Sequence, residues 1–150
     1  MPITPQQPDL ETRQGRISIA LSIISGHAIK HIYVSGLAVI IMPQIKIGLG
    51  LTKTQFGSLA TARQITHSLS TFTSGYLADR YSSKAPLILC ISLGLMGISL
   101  SIAGFAPHYL AILAAMFLVG IGPALYHPPA LSTLSHRFPD RRGFIVSLQY

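Results

Sequence analysis

The chain has 150 residues, 49% of them hydrophobic and only 10% charged, with 11 Lys or Arg against 4 Asp or Glu and a formal net charge of +7. Soluble domains carry about a quarter charged residues, and here the charges gather in short clusters between long apolar runs, which excludes a single soluble core and points to membrane spans joined by loops. The basic residues sit at the ends of the apolar runs and not along one face, so the positive charge does not describe a nucleic-acid surface.

Residues 1–15 are polar and rich in Pro and Gln and read as a disordered tail. The first apolar run, 17–42, is interrupted by His27, Lys30 and His31 and lacks a small-residue cleavage site, so it is a span and not a signal peptide. Pro43 closes it, and a short loop holding Lys46, Gly48, Gly50 and Lys53 follows. The second span, 54–78, is the least apolar, with many Ser and Thr, and ends at Asp79 and Arg80. The loop from Tyr81 to Lys84 leads into the third span, 86–106, where Cys90 stands alone and excludes a disulfide or cysteine metal cluster. Pro107 and His108 turn the chain into the fourth span, 109–135. A charged loop, 136–143, precedes a fifth apolar run, 144–150, which is too short to cross a bilayer and reads as the start of a further span.

Each of the four full runs is long enough, at about 1.5 Å per residue, to cross a hydrocarbon core of roughly 30 Å. One side of the membrane receives Arg13, Arg16, Arg80, Lys84, Arg137, Arg141 and Arg142, the other only Lys46 and Lys53. The positive-inside rule places the N-terminus and the Arg-rich loops in the cytoplasm, as expected of a multi-pass protein of the plasma (inner) membrane. Small residues at Gly94, Gly97, Ser101 and Gly104, and at Gly120 and Gly122, predict close helix contacts in the third and fourth spans.

Polar residues inside the spans carry the functional signal, because a charge near the bilayer centre costs at least a few kcal/mol. His27, Lys30 and His31 stand at i, i+3 and i+4, on one helical face. Arg63, His67, Ser70, Thr71 and Ser74 form a second polar stripe. Counted from opposite ends, His27 lies about 16 Å and Arg63 about 14 Å into their helices, so both fall near the midplane. No Asp or Glu lies within the four spans. The cluster either lines a water-filled cavity that holds an anionic or polar solute or relays protons, or bonds to neighbouring helices; histidine suits a relay because its unperturbed pKa lies near 6.5. In the fourth span Pro123, Pro128 and Pro129 predict a kink beside Tyr126 and His127, which join the candidate pathway. There is no nucleophile–base pair and no phosphate loop, so neither an enzyme nor ATP drive is expected, and no cofactor or metal.

Two motifs carry a family resemblance. Gly75-Tyr-Leu-Ala-Asp-Arg-Tyr-Ser-Ser-Lys84 resembles the G-x-L-a-D-r-x-g-r-k signature between the second and third helices of the major facilitator superfamily, with Ser82 and Ser83 in place of the usual Gly and Arg. The resemblance implies that Gly75 permits close helix approach, while Asp79, Arg80 and Lys84 act in a conformational-switch loop that bridges the two helix bundles. The segment from Gly120 through Tyr126-His127-Pro128, followed by Arg137-Phe-Pro-Asp-Arg-Arg-Gly143, is similar to the branch containing fosmidomycin-resistance exporters. In that branch an acid often follows the His-Pro pair, where Pro129 stands here. The family fold is all-α, twelve helices in two six-helix bundles, of which this sequence would supply four complete helices and the start of a fifth. The implied activity is secondary transport of a small solute by alternating access, as export or antiport of an organic compound or movement of an organic anion. The implied partners are the solute, protons, the lipid bilayer and the remaining C-terminal helices. The alternative is a non-transporting four-helix scaffold or a truncated, inactive product.

Overall fold

A computed structural model describes residues 10–147, which form six α-helices joined by short turns, with no strand among the described residues. Helix α1 spans Leu10–Gly36 and runs through a π-helical segment, Leu37–Ile41, into α2, Met42–Gly48. Then come α3 (Lys53–Arg80), a 3-10 turn (Ser82–Lys84), α4 (Ala85–Gly104), α5 (Tyr109–Arg137), a second 3-10 turn (Pro139–Arg141) and α6 (Arg142–Ser147).

The first helix departs from expectation at both ends. It begins at Leu10, inside the stretch expected to be a disordered tail, of which residues 1–9 lie outside the described residues. Between Pro8 and Gly15 no proline or glycine interrupts a helix. At its other end the helix passes Pro43 instead of stopping there. In a regular α-helix the proline ring would collide with the carbonyl of Val39. The π segment lies at that place, and the Met42 N–H bonds to the Leu37 carbonyl five residues back. That wider turn makes room for the ring. The chain then ends α2 in a Schellman-type turn: Gly50 takes φ +60, Gly50 N–H bonds to Ile47 O at 3.2 Å, and Leu51 N–H to Lys46 O at 2.9 Å.

Helix α3 starts with a reciprocal cap, in which Thr52 Oγ1 accepts from Gln55 N–H (3.2 Å) and Gln55 Oε1 accepts from Thr52 N–H (3.0 Å). Helix α5 is capped by His108, whose Nδ1 accepts from Ala111 N–H at 3.2 Å. The helix continues past Pro123, Pro128 and Pro129 without a break. Helix α6, Arg142–Ser147, begins two residues inside the expected charged loop and takes in the described part of the fifth apolar run; residues 148–150 lie outside the described residues.

Three stretches among the described residues are long and apolar enough to cross a membrane: Gln14–Gly48, Ser82–Gly104 and Tyr109–Arg137. Helix α3 has the length, at 28 residues, but not the apolarity. Its hydroxyls are largely turned inward on their own helix: Thr61, Thr66 and Thr71 donate to the carbonyls of Gly57, Ala62 and His67 at 3.1, 2.9 and 2.8 Å. Such back-bonding removes much of the cost of carrying hydroxyls in apolar surroundings.

Helix α5 packs along both α3 and α4, and α1 leans more lightly on α5 and α4. The apolar core is divided in two. One cluster joins Leu37, Met42, Leu59, Ala103, Ile112 and Met116 at the end bearing Lys46 and Lys53. The other joins Ala20, Ile23, Leu89, Tyr126, Leu134 and Ile145 at the Arg-rich end. Helix α4 buries Ala85, Leu89, Ser92, Met96, Ser99 and Ala103, a stripe with alternating spacings of four and three. The glycine stripe of the same helix lies on the other side: at Gly94, Gly97 and Gly104 nothing stands within 4 Å of where a Cβ would be. The expected contact through those glycines is therefore absent among the described residues. Gly120 and Gly122 of α5 do meet the expectation, one closing on α3 and the other on Met96 and Ser92 of α4.

Candidate functional site

Between the two apolar clusters lies a polar layer fed by three helices. On α1 the i, i+3, i+4 spacing brings His27, Lys30 and His31 to one side. His27 stacks on His31, with ring centroids 4.5 Å apart and planes at 28°. It meets His127 of α5 edge-on at 5.1 Å and Tyr126 at 6.2 Å. The Lys30 ammonium donates to His127 Nε2. His27 and Lys30 are buried, His127 is half-buried, and His31 is exposed.

Helix α3 brings Arg63 and His67, both half-buried, to the same layer. Gly120 sets their distance from α5. A methyl group on Gly120 would strike the Arg63 carbonyl and would stand 2.9 Å from His67 N and 3.0 Å from Thr66 Cβ. Lys30 and Arg63 both act electrostatically on His67, and Lys30, His27, His31 and His67 all act on His127. These six residues therefore lie in one electrostatic neighbourhood, to which α1, α3 and α5 each contribute. Arg63 also lines a pocket of about 200 Å³ with Leu37, Met42, Phe56, Leu59 and Met116.

Tyr126, placed with the pathway by sequence, sits differently. It is 1% exposed, and its hydroxyl donates to the Ile23 carbonyl at 2.6 Å. The approach depends on Gly26, where a Cβ would overlap the Tyr126 hydroxyl and lie 3.1 Å from its Cζ. Tyr126 thus pins α5 to α1 one position before His127. Two further ties escaped the sequence reading: Ser92 Oγ donates to the Gly122 carbonyl at 2.7 Å, and Tyr33 Oη and Ser99 Oγ lie 3.1 Å apart. Their only signal was a hydroxyl inside an apolar run, which does not reveal its partner. Ser74, in the α3 stripe, is fully buried and its hydroxyl has no partner among the described residues. No three His, Cys, Asp or Glu among the described residues are placed to hold a metal ion.

The loop after α3 shows less contact. Gly75 is half-buried, but nothing lies within 4 Å of a Cβ built there, so it makes no close helix approach among the described residues. It stands next in sequence to Ser74, on a different face of α3 from buried Ser74 and Ala78. Asp79, Arg80 and Lys84 are exposed, and both cations stand 5.8 Å from the ring centre of Tyr81.

The sequence profile of the Major Facilitator Superfamily matches residues 28–150. The chain belongs to this superfamily. Its membership and its apolar helices make it a multi-pass membrane protein, of a family of transporters and not of enzymes. It is 29% identical over 108 residues to the "Uncharacterized MFS-type transporter YfnC" of Bacillus subtilis, a match covering 71% of this chain and 25% of that protein. It is also 29% identical over 109 residues to the "Probable sulfoacetate transporter SauU" of Cupriavidus necator, covering 72% of this chain and 25% of the other. The matched region is thus about a quarter of the length of either relative. No solved structure gives a significant match.

Proposed function

We propose that this superfamily member acts, with further helices of the same transporter, as a secondary carrier that moves a small organic anion by alternating access. The observation that carries the reading is the charge of the polar layer. Lys30 and Arg63 sit among four histidines, and this sequence has no Asp or Glu between Glu11 and Asp79 or between Asp79 and Asp140. Cations at that depth need counter-charge or water, and an anionic solute entering a cavity beside them supplies it. The name of the Cupriavidus relative, which specifies a small organic anion, agrees with this chemistry.

In this reading four helices span the membrane. Helix α3 is the second span, and it turns Ile65, Leu69, Phe72 and Tyr76 outward at spacings of four, three and four, an apolar stripe suited to lipid. The N-terminus and the Arg-rich loops lie on the cytoplasmic side of the plasma membrane. Asp79, Arg80 and Lys84 belong to the conformational cycle, and the histidines offer protons a route, so antiport against protons is the drive we favour. The likeness of the 120–143 segment to fosmidomycin-resistance exporters supports outward movement.

The test is flux. The full-length protein in vesicles should carry labelled small carboxylates or sulfonates, and not organic cations of similar size. Arg63→Gln and His27→Ala should each cut that flux while leaving membrane insertion intact. Unchanged flux in both variants, or transport of cations alone, would remove the cluster from the solute path.

A further inference from the structure

The cluster holds two cationic poles and not one. Lys30 is fixed against His127, on the side where α1 meets α5. Arg63 comes from α3, beside the backbone contact with Gly120. Gly120 and His127 are seven positions apart on α5, so the points where α3 and Lys30 meet that helix are about 10 Å apart along its axis. His67 lies in the field of both. Lysine and arginine side chains are the cationic groups that an anion most readily pairs with.

Charge balance then constrains the solute. Among the helices described, which place no Asp or Glu in the layer, a monoanion neutralises one pole and leaves the other without counter-charge. A solute with two anionic groups several bonds apart neutralises both, and cations held on separate helices read that separation. We infer that the solute is a dianion, one acidic group facing Lys30 and the other facing Arg63, with these two residues setting the preference. The inference rests on the organic-anion reading above and narrows it.

The experiment compares matched pairs by titration calorimetry on the purified full-length protein at a pH where all carboxylates are ionised. The pairs are succinate with butyrate, adipate with hexanoate, and ethane-1,2-disulfonate with ethanesulfonate. At least one dianion should bind about tenfold or more tightly than its monoanionic partner. Lys30→Gln and Arg63→Gln should each reduce the dianion to the level of the monoanion, while Lys30→Arg and Arg63→Lys retain a preference. Should Lys30→Gln fail to fold, Arg63→Gln and the two charge-conserving variants read the same quantity. Equal binding of both members of every pair overturns the two-charge inference and leaves an organic-anion carrier. Binding of no member overturns both readings. A preference that survives both Gln substitutions shows that other groups read the second charge.

Discussion

Replacing Gly120 by alanine puts a methyl group where α3 and α5 touch. The methyl would strike the Arg63 carbonyl and crowd His67 N at 2.9 Å and Thr66 Cβ at 3.0 Å. Two of these three neighbours are backbone atoms, which cannot rotate aside as a side chain would, so α3 must move. Overpacking of this kind costs about 1–3 kcal/mol, and backbone neighbours put it toward the upper end. The helix propensity gained in going from Gly to Ala offsets about 0.8–1 kcal/mol of this. The net expectation is a loss of about 1–2 kcal/mol. The displacement also shifts Arg63 and His67 relative to His127, so solute flux should fall further than stability alone explains. The assay is thermal unfolding of the full-length protein in detergent, paired with vesicle flux, with Gly57→Ala as control because nothing lies within 4 Å of its Cβ position. A Gly120→Ala protein as stable and active as the parent would refute the claim that this glycine sets the α3–α5 distance.

Other expectations follow from single contacts. Tyr126→Phe removes a buried hydrogen bond to the Ile23 carbonyl and should cost about 0.5–1.5 kcal/mol, read as a lower unfolding midpoint; an unchanged midpoint would show the hydroxyl is not the pin between α1 and α5. Gly50→Ala forces a Cβ into a left-handed turn at φ +60 and should cost about 1 kcal/mol, with faster hydrogen exchange in the adjoining ends of α2 and α3 as the local readout. Thr52→Val keeps the side-chain shape but breaks the reciprocal cap with Gln55, and should cost about 1 kcal/mol and raise exchange in the first turn of α3 only.

Much of the architecture was legible because membrane spans are written in apolar length. The fourth run, expected over 109–135, is helical over Tyr109–Arg137, and the third, expected over 86–106, over Ala85–Gly104. Pro43 misled because a proline's effect depends on the turn before it, and a π register does not show in composition. The glycines divide for a related reason. Spacing shows that Gly94, Gly97 and Gly104 share a face, but not that the neighbouring helix lies on the opposite one.

The site was legible as a depth, and not as a set of partners. Helical rise placed His27 and Arg63 at one level, and the observed layer joins them through His67 and His127. The bond from Lys30 to His127 and the pin from Tyr126 to Ile23 link residues about a hundred positions apart, which no local pattern encodes. The segment from Gly75 to Lys84 was read from its motif; its charged residues are exposed, and Arg80 and Lys84 stand over the Tyr81 ring.

Transport of an organic anion through these helices requires the polar layer to face water and the solute. His31, exposed at its edge, is the place to ask. In a Cys90→Ser background, which removes the chain's only cysteine, the His31→Cys variant of the full-length protein should react with a charged, membrane-impermeant thiol reagent, and a bound organic anion should slow that reaction. Reaction from neither side of the membrane, in a variant shown to be inserted and folded, would mean that the layer is sealed among helices or lipid and that its cations do not line a solute path.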